Sequence, residues 1–153
     1  MGATDKDDVM DTGSSSGPSA TIAFQGFQCV TKPDVSAPGK DICSAAYDNV
    51  NGYRTLTGTS MACPHVAGLV ALLLSKNGNV HPERVRNCLT GGAVHTNPTT
   101  LLPAFQRPTC CGVSDTEFPN HQSGYGRIDA VRTFDSCFPN DWHTGTNGAM
   151  RPQ

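Results

Sequence analysis

The sequence predicts an α/β domain organised around a central buried helix that starts near Ser60. Three observations lead there. From Val66 to Leu74 the chain is almost wholly apolar, with Val66, Leu69, Val70, Leu72, Leu73 and Leu74 leaving hardly any polar face, and a helix apolar all round belongs in an interior. Two short strand-like runs, Ile42–Ala46 and Tyr53–Leu56, precede it, separated by the turn signal Asn49-Val50-Asn51-Gly52. A second helix follows from Pro82, with Val85, Cys88 and Leu89 at i, i+3 and i+4.

Asp11-Thr12-Gly13-Ser14-Ser15 reads as a polar turn before Gly17-Pro18. The same five residues match the loop of pepsin-like aspartic proteases, but that chemistry needs a second such carboxylate loop, and the chain has none. Thr21–Val30 alternates loosely and predicts a hairpin or surface loop. Val35 enters the sheet, and Pro38-Gly39 ends its strand. Gly58 gives the backbone freedom before Ser60, and Pro64 predicts a helix start around residues 60–64, with the proline in the first turn. That helix is expected to reach Lys76-Asn77 and stop at Gly78. His81-Pro82 opens the next, through Leu89, with Gly91-Gly92 as its end. Residues 93–121, with Pro98, Pro103, Pro108 and Pro119, read as loop. Asp129 is placed to cap a last helix, and residues 135–153 read as a loose tail.

Composition bounds the function. The net charge of −2 gives no reason to expect nucleic acid or an anionic membrane as a partner. The run Val66–Leu74 contains Gly68 and is too short to span a bilayer. Seven cysteines fit an oxidising, extracellular setting. Met1-Gly2-Ala3-Thr4-Asp5-Lys6 has no apolar core of a signal peptide, so a piece of a longer secreted precursor is expected.

Gly58-Thr59-Ser60-Met61-Ala62-Cys63-Pro64-His65-Val66-Ala67-Gly68 meets every fixed position of G-T-S-M-A-x-P-H-V-A-G and so resembles the nucleophile motif of the subtilisin-like serine proteases. Further matches stand in family order. They are Gly2-Ala3-Thr4, Ser14-Ser15-Ser16-Gly17-Pro18, Lys32-Pro33-Asp34-Val35-Ser36-Ala37-Pro38-Gly39 and Gly124-Tyr125-Gly126-Arg127-Ile128-Asp129-Ala130. Met1 departs from the usual Val, and Gly13 stands where an aromatic is common; Asp11-Thr12-Gly13 also matches the D-[ST]-G around the family's catalytic Asp, but that loop needs a preceding apolar strand, and Asp5-Lys6-Asp7-Asp8-Val9-Met10 is not one.

The resemblance implies the C-terminal portion of a three-layer fold with a mainly parallel sheet. Residues 1–134 would belong to the peptidase domain, with an insertion at about 93–121 and a tail of unknown role at 135–153. It implies Ser60 as nucleophile, with its own backbone N–H donating to the oxyanion, and Met61 on the leaving-group side of the cleft. The substrate would be a polypeptide. The family's Asp, His and oxyanion Asn would come from the upstream part of the same domain. No cofactor is identified; the resemblance leaves room for calcium, with no ligands assignable.

The chemistry supports these expectations independently. A helix N-terminus presents unpaired N–H groups and partial positive charge, where a serine Oγ has donors for a developing oxyanion. The bland alternative is a serine that only caps the helix. A serine nucleophile also needs a base and a group to orient it, and no histidine precedes Ser60. The His matching His65 is structural in the family, its ring turned from the cleft; His81 is expected to cap a helix or sit in solvent, and His95, His121 and His143 fall in loops. The isolated chain is therefore expected to lack useful protease activity. The rival function is a non-catalytic remnant or a disulfide-stapled secreted module. Cys63 is expected to be free in a buried first turn. Cys29, Cys43, Cys88, Cys110, Cys111 and Cys137 are expected to form three disulfides, in one of fifteen connectivities. A zinc set of Cys110, Cys111, His121 and Cys137 fits no zinc spacing.

Overall fold

The computed structural model describes residues 1–19, 30–95, 113–114 and 116–139. The order of elements is β1 (Gly2–Thr4), β2 (Ser36–Pro38), β3 (Ile42–Ala45), β4 (Tyr53–Leu56), α1 (Thr59–Lys76), α2 (Pro82–Gly91) and α3 (Ala130–Cys137). β1 and β2 pair in parallel, Gly2 opposite Ser36 and Thr4 opposite Pro38. Arg127 extends this layer by single-residue bridges, parallel to Ser36 and antiparallel to Val94. β3 and β4 form a separate antiparallel hairpin, Ile42 opposite Leu56, turned by a Gly52 N–H bond to the Asn49 carbonyl at 3.0 Å. Of the expected mainly parallel sheet, the described residues hold this one parallel pair, with the hairpin apart from it. Among the described residues one pair is parallel and one antiparallel, because Asn49–Gly52 closes a tight turn that only antiparallel neighbours can use.

α1 lies on β1 and β2 and touches α3, while α2 packs along α3. The core joins Ala3, Val35 and Ala37 of the sheet layer to Ala62, Val66, Leu69 and Leu73 of α1 and to Val85, Cys88 and Leu89 of α2. Those three α2 residues are the ones its periodicity points inward. His81 caps α2, its Nδ1 accepting from the Glu83 N–H at 3.4 Å, and Asp129 caps α3, accepting from the Arg132 N–H at 2.9 Å. α3 carries on to Cys137, three residues into the segment assigned to the tail, and Cys137 is joined to Cys88 of α2 by a disulfide.

Several expectations need correction. α1 is not buried all round: Leu73 is 0% exposed, but Leu72 is 56% and Leu74 39% exposed. Nothing comes within 4 Å of where a Gly68 Cβ would stand. An apolar sequence says that a face seeks burial; among the described residues nothing lies over this one. Cys63 is exposed for the same reason, not buried. α1 also begins earlier than Pro64 implied, so the proline sits in the second turn and the Ser60 carbonyl lacks its i+4 donor. With 18 residues, α1 is long and apolar enough to pass for a membrane span, against the expectation drawn from Val66–Leu74, but its packed face belongs to the core. The other end is where the sequence puts it: the helix ends at Lys76, with extended Asn77 as its cap just before Gly78.

Cys43 is free and exposed, so the three disulfides that needed it are not formed as a set. Cys137, spent in a disulfide, is also unable to join the weighed zinc set. Residues 21–29, most of the 93–121 stretch with Cys110 and Cys111, and most of the tail lie outside the described residues. The described ends of 93–121 are built into the fold, since Val94 bridges Arg127 and Asn120 and His121 are fully buried.

Candidate active site

Ser60 is exposed and is the second residue of α1, whose cap is Gly58 with no side-chain hydrogen bond. It is therefore not a capping serine. No acidic residue lies in the first turn, so nothing there offsets the positive end of the helix. The first N–H groups of the helix, including that of Ser60, have no carbonyl four residues back within the helix.

Backbone contacts set where this turn stands. The Gly39 N–H donates to the Thr4 carbonyl at 2.8 Å, the Gly58 N–H to the Gly39 carbonyl at 2.7 Å, and the Met61 N–H to the Gly58 carbonyl at 3.0 Å. The end of the parallel pair is thereby tied to the start of α1. A Cβ on Gly39 would stand 2.7 Å from both the Ala3 Cβ and the Gly58 carbonyl oxygen, so glycine is required by close approach. Gly58 has φ +146°, a conformation open to glycine and costly for other residues.

Ser60 and Met61 line a cavity of about 460 Å³ together with the β3–β4 hairpin, including Ile42, Cys43, Arg54 and Leu56, and with His65. Met61 is half-buried there. His65 is among the residues that border the cavity, and its Nδ1 is held against the Met61 carbonyl at 2.9 Å. A carbonyl only accepts, so this bond assigns the proton to Nδ1. Among the described residues no histidine is hydrogen-bonded to Ser60. His81 serves as a cap, His95 stacks on Phe118 with centroids 4.1 Å apart, and His121 is fully buried with no hydrogen bond to either ring nitrogen. His143 lies outside the described residues. Asp11, of the aspartic-protease-like motif, accepts from the Gly13 N–H at 2.9 Å in a turn. Among the described residues no three His, Cys, Asp or Glu side chains converge on a point.

Away from the cavity, Asp34 ties the segment before β2 to α2. Its carboxylate accepts from Lys32 at 2.5 Å and from Arg86 Nε and Nη2 at 3.0 and 2.7 Å. Burial pushes the Asp34 carboxyl up, but the bonds from Lys32 and Arg86 together outweigh it and hold the group below the usual carboxylate range. Sequence reasoning passed over this network and Arg54; charge spacing along a chain does not show which partners a fold brings together.

The model of the subtilase family of peptidases matches residues 1–126. An alkaline extracellular protease of Yarrowia lipolytica is 47% identical over 79 residues, 51% of this chain and 17% of that protein. Alkaline serine exoprotease A of Vibrio alginolyticus is 45% identical over 82 residues, 53% of this chain and 14% of that protein. The chain thus spans about a sixth or less of the length of these relatives. Among solved structures, the patellamide maturation protease PatA superposes with a TM-score of 0.55 at 25% identity, over 88% of this chain and 40% of that one. The nucleophile-type turn, the order of its flanking segments and these similarities agree: the chain belongs to the subtilase family of serine peptidases.

Proposed function

We propose that the chain is the C-terminal part, over residues 1–134, of a subtilisin-like serine endopeptidase, and that it forms an acyl-enzyme through Ser60. The observation that carries this is the exposed Ser60 hydroxyl in the uncapped first turn of α1, opening on the 460 Å³ cavity. In this reading the Ser60 N–H donates to the oxyanion, and Met61 faces the leaving group. The Asp and His of the triad are contributed by polypeptide outside these 153 residues. Two things support that division: none of the described histidines bonds to Ser60, and α1 carries an uncovered apolar face of the kind another layer would occupy. The substrate is a polypeptide. Extracellular action is supported by the Cys88–Cys137 disulfide and by the name of the Yarrowia relative.

The test is labelling with a fluorophosphonate, followed by peptide mapping. The chain should be compared with the reading frame extended upstream to include D-[ST]-G and H-G-[TS] segments. The extended protein should label at Ser60 and lose labelling on Ser60→Ala, while the 153-residue chain labels orders of magnitude more slowly. Equal labelling rates refute the division of the triad. No labelling of the extended protein favours a non-catalytic member of the family.

A further inference from the structure

We propose that Arg54 makes the cavity beside Ser60 selective for a substrate segment carrying a carboxylate side chain; this rests on the peptidase reading of Ser60. The cavity wall is mostly apolar, built by Ile42, Ala45, Leu56, Met61 and Pro64 among others, and Arg54 is its one Lys or Arg, with no Asp or Glu in the lining. The guanidinium is already oriented. Its Nη2 donates to Asp48 at 2.7 Å, and its Cζ lies 5.4 Å from the centroid of the Tyr47 ring. Asp48 is not part of the cavity lining.

A guanidinium has five N–H donors in a planar fork. The bond to Asp48 uses one nitrogen, and among the described residues no other bond from Arg54 is present. Its remaining donors therefore suit a second carboxylate. Arg54 and Asp48 side chains are 47% and 44% exposed, so the pair is solvated and readily shared with an incoming group. An incoming Lys or Arg would meet a like charge against apolar walls. Because the pair is exposed, the advantage of a carboxylate is modest, on the order of threefold to tenfold in affinity at low salt. It should shrink as the screening length falls from about 30 Å to about 8 Å between 0.01 M and physiological salt.

The test uses the 153-residue chain, ¹⁵N-labelled, and three end-blocked octapeptides identical except for a central Glu, Gln or Lys. Dissociation constants come from chemical-shift titrations at low and physiological salt. The Glu peptide should bind several-fold tighter than the Gln peptide, with the Lys peptide weakest. The Glu advantage should vanish in Arg54→Gln, survive in part in Arg54→Lys, and grow in Asp48→Asn. Arg54 is half exposed, so these variants should keep the wild-type circular dichroism spectrum. A Glu advantage that persists in Arg54→Gln overturns the proposal, as do equal affinities for the three peptides or no binding at all. Failure of the peptidase reading is seen separately, as absence of Ser60 labelling in the extended protein with its native Arg54.

Discussion

Leu72 and Leu73 are neighbours on α1 with the same side chain and opposite surroundings, so the pair measures how the helix is covered. Leu73 is 0% exposed and lies in the core. Truncating such a leucine to alanine removes its transfer free energy and leaves a cavity, together about 2–5 kcal/mol. Leu72 is 56% exposed. Fully burying a leucine is worth about 1.5–3 kcal/mol, so the smaller part of that, about 1 kcal/mol or less, is at stake, with no cavity because the site opens to solvent. Urea unfolding followed by circular dichroism separates the two. With a slope of about 1–3 kcal/mol per M, Leu73→Ala should lower the midpoint by roughly 1–3 M, and Leu72→Ala by well under 1 M. Size-exclusion chromatography at the same concentration checks that both variants and the parent are in the same oligomeric state. Comparable losses at the two positions would refute the one-sided helix. They would mean that another copy, or a segment outside the described residues, covers Leu72 in solution.

Two further outcomes are expected. The Cys88–Cys137 disulfide closes a separation of 49 residues, worth roughly 4 kcal/mol by loop-closure entropy, so the Cys88→Ser, Cys137→Ser double variant should melt roughly 10–20 °C below the parent in calorimetry; an unchanged melting temperature excludes a stabilising bridge between α2 and α3. Because the folded Asp34 carboxyl lies below its ordinary 3.8, its contribution is present above that value and is lost as pH falls through the lowered folded one. The stability gap between the parent and Asp34→Asn should accordingly be constant at neutral and mildly acidic pH and close below about pH 4; a gap that widens on acidification has the wrong sign for this network.

What was legible in the sequence was local. The turn at Asn49–Gly52, the inward face of α2 and the Asp129 cap are each written within a few residues, and the structure has each of them. What was not legible depends on partners distant in the chain. The apolar run of α1 states that a face seeks cover, and not whether cover is present, so Cys63, Leu72 and Leu74 were assigned to an interior that does not enclose them. Fifteen pairings were open to six cysteines, and only packing of α2 on α3 brings Cys88 to Cys137. The motif Gly124-Tyr125-Gly126 was visible as a pattern without its cause. The cause is spatial: both glycines have positive φ, +65° and +117°. A Cβ would also stand 2.3 Å from the Asp34 carbonyl oxygen at the first and 2.2 Å from the Val94 carbonyl oxygen at the second.

The same geometry separates two properties of the candidate site. A backbone relay from Thr4 to Gly39 to Gly58 to Met61 fixes the turn that carries Ser60, and that relay starts in the buried parallel pair. Its two glycines are required by close approach and by φ, so the position of the hydroxyl is a property of the core. The opposite wall of the cavity comes from a hairpin whose Tyr47, Tyr53 and Leu56 are 92%, 79% and 48% exposed and whose strands, among the described residues, pair only with each other. Substitutions in that hairpin can change charge and shape beside Ser60 without touching the contacts that place it. Under the proposed function, selectivity would be free to vary on a surface element while the Ser60 hydroxyl stays anchored to the sheet, with Arg54 on the variable side of that division.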